Sequence, residues 1–174
     1  IRTYVGQGRD DASATVRMSL TPAGFRGMLF TPEGTVYVDP YGVGETDVYV
    51  VYFARDVAVD PADRGRSADT VVDAAPPSPG RGPGASRANG ATLRTYRLAV
   101  AATGEYTAFH GGTVASALAA QVTAINRVNQ IYETDLAVRL VIVAANDQIV
   151  FTDPATDPFT NDNGELLINE NQTV

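Results

Sequence analysis

Between residues 113 and 133 the apolar side chains Val114, Leu118, Val122, Ile125, Val128 and Tyr132 follow one another at spacings of 4, 4, 3, 3 and 4, with Gln121, Asn126, Arg127 and Gln130 on other faces. That is the period of an α-helix with one buried stripe. An isolated helix of this length is marginal in water, so it needs a surface to cover. Burying the stripe contributes roughly 1.5–3 kcal/mol per side chain as an upper figure. Ala115, Ala117, Ala119, Ala120 and Ala124 favour the helix intrinsically and let it lie close to that surface. Thr113, directly after Gly111 and Gly112, is placed to cap its start.

Short runs rich in Val, Leu and Ala flank the helix. Residues 95–102 end at the turn signal Thr103-Gly104, and residues 136–144 end before Asn146-Asp147. Both read as buried strands running parallel. Residues 93–143 thus hold a strand, a turn, a long helix and a second strand in 51 residues, enough for a right-handed crossover that sets the helix on one face of a sheet.

The N-terminal third has a different period. Val16, Met18 and Leu20 alternate with Arg17 and Ser19, and residues 25–30, 36–38 and 48–53 are further β-branched and aromatic runs. Between them fall two copies of one turn, Thr21-Pro22-Ala23-Gly24 and Thr31-Pro32-Glu33-Gly34. Proline fixes φ at the second turn position and glycine suits the exit. The copies lie ten residues apart, one strand plus one turn, which predicts an antiparallel meander. The fold class is α+β: a β unit over residues 1–55, a linker over 56–92, and the β-α-β crossover unit within 93–174.

The linker is distinguished by composition. Residues 75–86 read APPSPGRGPGAS, which cannot bury enough apolar surface to offset its ordering entropy. Val71-Val72 is its one apolar patch, and Arg64, Arg66, Arg81 and Arg87 offer cleavage points to a trypsin-like enzyme. After the crossover, residues 148–152 predict a short strand. The Asp- and Asn-rich loop 153–164 follows, and Asn163-Gly164 leads into Leu166, Leu167 and Ile168, the expected start of a helix.

Composition narrows the chemistry. The 174 residues suit two small units, and their net charge of −7 argues against a nucleic-acid partner, which requires a clustered basic face. All 13 basic residues are arginine, which reads as coding bias rather than function. No run approaches the ~18 apolar residues of a membrane span. The absence of cysteine excludes disulfides, thiolate chemistry and cysteine-held zinc. The sequence opens on Ile1 and closes inside an expected helix, so it reads as part of a longer precursor.

The string YRLAVAATGEYTAFHGG at residues 96–112, the long helix, and VNxxYxxxLAVRLVIVA at residues 128–144 resemble the opening of the catalytic domain in reprolysin-like zinc metallopeptidases, bacterial members of the metzincins. The resemblance covers the C-terminal end of the chain. It implies a secreted, extracellular endopeptidase acting on protein or peptide substrates, with a prosegment at residues 1–55 able to contact the catalytic part. It further implies zinc as cofactor, held by a downstream His-Glu-x-x-His-x-x-Gly-x-x-His helix whose glutamate deprotonates a metal-polarised water. No residue of that motif occurs here, so no catalytic, cofactor-binding or metal-ligating residue is assigned within residues 1–174. The fragment alone is expected to be inactive. The competing class is a non-enzymatic secreted binding or adhesion module.

Several residues invite a role and meet a structural reading beside it. Asp39, in Asp39-Pro40-Tyr41-Gly42, offers a carboxylate with which a prosegment could cap a metal, and equally reads as part of a β-turn. His110 is the single histidine and reads as a turn or capping residue, while Glu105 and Asp135 lack partners at catalytic spacing. Aligning Gly164 with the glycine of a calcium-binding EF-hand loop places Asn161, Asn163 and Glu170 at ligand positions but Phe159 where the first aspartate belongs, so calcium is left open against a loop in which Asp157 and Asn163 bond their own backbone. Animal relatives hold calcium partly through a glutamate on the first strand, and Arg97 stands at that position here.

Overall fold

A computed structural model of the chain describes residues 1–42, 44–58 and 92–174. The chain forms two compact units, one built on the first five strands and one on the later helices and strands. Almost all of the expected linker, with Arg64, Arg66, Val71, Val72, Arg81 and Arg87, lies outside the described residues.

The first unit is the expected meander: β1 (Arg2–Gln7), β2 (Thr15–Thr21), β3 (Gly24–Thr31), β4 (Gly34–Pro40) and β5 (Tyr49–Phe53), in that order across one antiparallel sheet. Both Thr-Pro-x-Gly turns reverse the chain, with Gly24 at φ 102° and Gly34 at φ 133°, where a Cβ would be strained. Strand β1 has no hydrophobic alternation to announce it. Five of its six residues are exposed, and it exists by pairing Arg2 with Leu20 through Gln7 with Thr15 along β2.

Alternation located β2 but not its buried face. Arg17, Ser19 and Thr21 are buried, whereas Leu20 is 48% exposed. The buried side of the sheet carries a polar and aromatic layer: Met28 lies opposite Tyr37, Tyr37 packs on Tyr52, and Asp39 accepts from Arg26 and the Tyr52 hydroxyl. Asp39 and Pro40 are strand residues, which corrects the turn reading. The ladder continues past them, with the Tyr41 N–H donating to the Val48 carbonyl.

In the second unit β6 (Arg94–Leu98) and β7 (Val138–Ile142) pair in parallel, Arg94 with Val138 through Leu98 with Ile142. Between them run α1 (Gly104–Phe109) and α2 (Val114–Leu136). Helix α2 starts at the predicted cap: Thr113 Oγ1 accepts the Ser116 N–H and Ser116 Oγ accepts the Thr113 N–H, a reciprocal capping box. It runs three residues past Glu133 and stops where Ala137 turns left-handed at φ 53°. That shortens the expected second strand at its start. Helix α1 replaces a simple turn, because Thr103 caps a helix there, its Oγ1 accepting the Tyr106 N–H.

The stripe of α2 is only partly buried, and Tyr132 is 38% exposed. The buried positions are Ala117, Ala119, Gln121, Thr123, Asn126, Asn129 and Gln130. Alanines bring the helix close, and amide side chains bury because main-chain groups at the sheet margin await partners. Residues 148–152 are not a full strand: a 3-10 turn, Asn146–Ile149, leads to one parallel bridge between Ala102 and Val150. Ala102, Ala117 and Val150 centre the apolar core, flanked by Tyr106, Val114 and Leu118. Helix α3 (Gly164–Glu170) closes the unit at the expected place, and Asn163 is its cap.

Candidate functional site

The chemistry-bearing residues of the second unit fall into an amide cluster under α2 and a carboxylate-rich loop beside α1. In the cluster, Asn146 is 2% exposed and Gln121 is 3% exposed. Asn146 Oδ1 accepts the Val100 N–H at 2.7 Å, and its Nδ2 donates to the Val100 carbonyl at 3.0 Å and to Gln121 Oε1 at 2.9 Å. Gln121 Nε2 donates to the same Val100 carbonyl at 2.9 Å.

The position of Val100 explains the arrangement. One edge of the strand bonds β7 as far as the Leu98 carbonyl, which accepts the Val143 N–H, and beyond the gap Ala102 bonds Ile149 and Phe151. Asn146 supplies the missing rung with its side chain. On the other margin, the bonds Arg94 N–H to Ala137 carbonyl and Val143 N–H to Leu98 carbonyl direct alternate residues of β7 to β6. Leu140 therefore faces outward, and the Asn129 amide takes both of its backbone groups, at 2.7 Å and 2.8 Å. Arg139 is held by Glu133 in a two-pronged ion pair, Nε to Oε1 at 2.5 Å and Nη2 to Oε2 at 3.1 Å, and the Glu133 hydrogen bond pushes its pKa up. These groups position the scaffold and offer no nucleophile.

The loop uses its carboxylates internally. Asp157 accepts the Gly104 N–H on one oxygen at 2.7 Å and the Phe159 N–H on the other at 2.9 Å. Asp153 accepts the Ala155 N–H and the Thr156 hydroxyl, both at 2.9 Å, and those bonds, the backbone one first, hold its pKa below the usual aspartate value. Glu170 accepts from the N–H and hydroxyl of Thr160, each at 2.7 Å. Asn163 caps α3 through the Leu166 N–H, and Phe159 meets Phe151 edge-on. Of the residues weighed for calcium, Asn163 and Glu170 are thus engaged with backbone N–H groups and a hydroxyl.

His110 ends α1 as its C-cap, tilted against Tyr106 at 4.4 Å and edge-on to Phe109 at 5.0 Å between ring centres. Glu105 lies in the first turn of α1, Asp135 is exposed near the end of α2, and Arg97 is exposed on β6 opposite Val141. Asp39, in the other unit, is held by Arg26 and Tyr52. The structure brings none of these together. Among the described residues no group of three or more His, Asp or Glu stands where it could hold a metal ion. Sequence reasoning missed Gln121, Asn129 and Asn146 as organising residues. Their signal was amides inside otherwise apolar or alanine-rich segments.

Residues 92–174 match the metallo-peptidase family M12B, reprolysin-like. The resemblance carried by residues 96–112 and 128–144 is therefore shown for that segment, which is metallopeptidase-family sequence. Proteins are the substrates that family acts on. Neither a curated protein nor a solved structure matches the chain. No described helix is long and apolar enough to cross a membrane. The family is zinc-dependent, and the described residues do not fit that ion: the one histidine packs against Tyr106 and Phe109 with no second ligand grouped beside it, and Asp153, Asp157 and Glu170 accept hydrogen bonds from the loop and from Gly104.

Proposed function

We propose that this chain is part of a secreted zinc endopeptidase of the reprolysin-like kind, cleaving peptide bonds in protein substrates. In this reading residues 1–55 are the prosegment, 56–92 the linker, and 93–174 the opening of the catalytic domain. The observation that carries it is the family match over residues 92–174, coincident with the parallel β6-α2-β7 unit. Because the residues present do not fit zinc, the reading assigns the metal ligands and the substrate-binding strand to sequence outside residues 1–174. Residues 93–174 then act as scaffold.

The test compares two polypeptides, residues 1–174 and the same chain extended by the next ~100 residues of its gene, where a His-Glu-x-x-His helix is expected. Metal analysis after dialysis and a casein assay are run on both. The expected result is one zinc and turnover for the longer chain, and neither for residues 1–174. Stoichiometric zinc or turnover with residues 1–174 alone, or an extended chain with no zinc and no turnover, would overturn the proposal.

A further inference from the structure

Asn163 and Gly164 form an Asn-Gly pair where α3 begins, and both are exposed. Gly164 is the first helical residue, so its N–H has no partner within the helix. A Cβ built on it meets nothing within 4 Å, so the residue stands in open space. Helix α3 has seven residues and buries none of them, so it opens readily. The 3.2 Å bond from the Leu166 N–H to Asn163 Oδ1, a long one, holds that carboxamide on its cap.

The other described asparagines lack this combination. Asn126, Asn129 and Asn146 are buried. Asn161, Asn169 and Asn171 are exposed but precede Asp162, Glu170 and Gln172, whose side chains crowd the nitrogen that would have to approach.

We infer that Asn163 is a site of spontaneous covalent modification in the folded chain. When α3 opens, the Gly164 backbone nitrogen gives its proton to solvent base and attacks Asn163 Cγ. A new C–N bond closes a five-membered imide as the Cγ–Nδ2 bond breaks, and the leaving group takes a proton from water and departs as ammonia. Water then adds to either imide carbonyl, giving aspartate or isoaspartate. The net change is one amide plus water to one carboxylate plus ammonium, with no redox step.

The two products act oppositely on α3. Aspartate keeps an acceptor on the cap and adds negative charge at the positive end of the helix. Isoaspartate lengthens the main chain by a methylene and displaces the cap. Since Glu170 on α3 holds both the N–H and hydroxyl of Thr160, loss of the helix also releases that loop.

The experiment incubates the full chain at neutral pH and maps its peptides by mass spectrometry, which separates Asn163 from Asn89-Gly90, the other such pair in the sequence. Asn163 should convert about tenfold or more faster than Asn161, Asn169 or Asn171, yielding both products, because only glycine leaves the attacking nitrogen unhindered. Gly164→Ala, for which there is space and which favours the helix, should slow conversion by about tenfold with the circular dichroism spectrum unchanged. Conversion at Asn163 no faster than at the three other exposed asparagines, or a Gly164→Ala rate equal to that of the parent, would overturn the inference.

Discussion

Asn129 on α2 and Leu140 on β7 meet as a side-chain amide against a main-chain peptide, donor to acceptor and acceptor to donor. The helix thereby finishes the outward edge of the strand as a neighbouring strand would. An open edge of this kind invites pairing with other chains, and Asn129 blunts it at Leu140. Asn129→Ala should lower stability by about 2–4 kcal/mol, since it leaves two backbone groups unpaired in a site where Asn129 itself is 6% exposed. Urea unfolding reads the change. A loss below about 1 kcal/mol would mean that water replaces the amide at little cost.

Gly104 lies against the main chain of the carboxylate loop. A Cβ there would stand 2.2 Å from the Pro154 nitrogen and 2.4 Å from the Asp153 carbonyl carbon, and neither can swing aside as a side chain could. Alanine is the better helix former, but at this first helical position the gain is small, and the forced separation costs more and strains the bond from the Gly104 N–H to Asp157. Gly104→Ala should be destabilising by about 1–3 kcal/mol net, the range for overpacking. The urea midpoint checks it, and an unchanged or raised midpoint would show that the loop moves freely.

Asp153 has a depressed pKa in the folded chain, so it binds its proton less readily folded than unfolded. Its contribution to stability is complete above the unfolded aspartate value of about 3.9 and is lost as pH falls through the lower folded value. Carbon-detected NMR titration should place its midpoint below that of an unstructured aspartate. Thr156→Val removes the hydroxyl donor and should move the midpoint up while leaving it depressed by the Ala155 N–H. An Asp153 midpoint already at the ordinary value would refute the assignment.

What could be read in advance followed from repetition and spacing. The stripe from Val114 to Tyr132 and the cap at Thr113 located α2, the twin Thr-Pro-x-Gly turns located the meander, and the Val/Leu/Ala runs located the parallel pair. Burial was harder to read, because a polar residue counts as outward in any periodicity argument. Gln121 and Asn129 point inward for a reason that lies far along the chain, in the unpaired groups of Val100 and Leu140. Arg17 and Ser19 on β2 reverse their expected face in the same manner. Strand β1 depends on β2 for its existence, and six-residue α1 is too short to show a period. For the candidate site, the place of His110 beside the helix junction was legible, whereas the Asp39 contacts required knowing that β3 and β5 flank β4.

The side chain of Asn146 acts as a spacer of fixed length between the Val143 and Ile149 contacts on one strand edge. Adding or deleting a residue between Val143 and Asn146 would carry the carboxamide out of step with Val100, and the same slip would uncouple it from Gln121. This short connection therefore cannot drift in length as surface loops ordinarily do. The chain spacing after β7 is a measured quantity, set by the reach of a single amide.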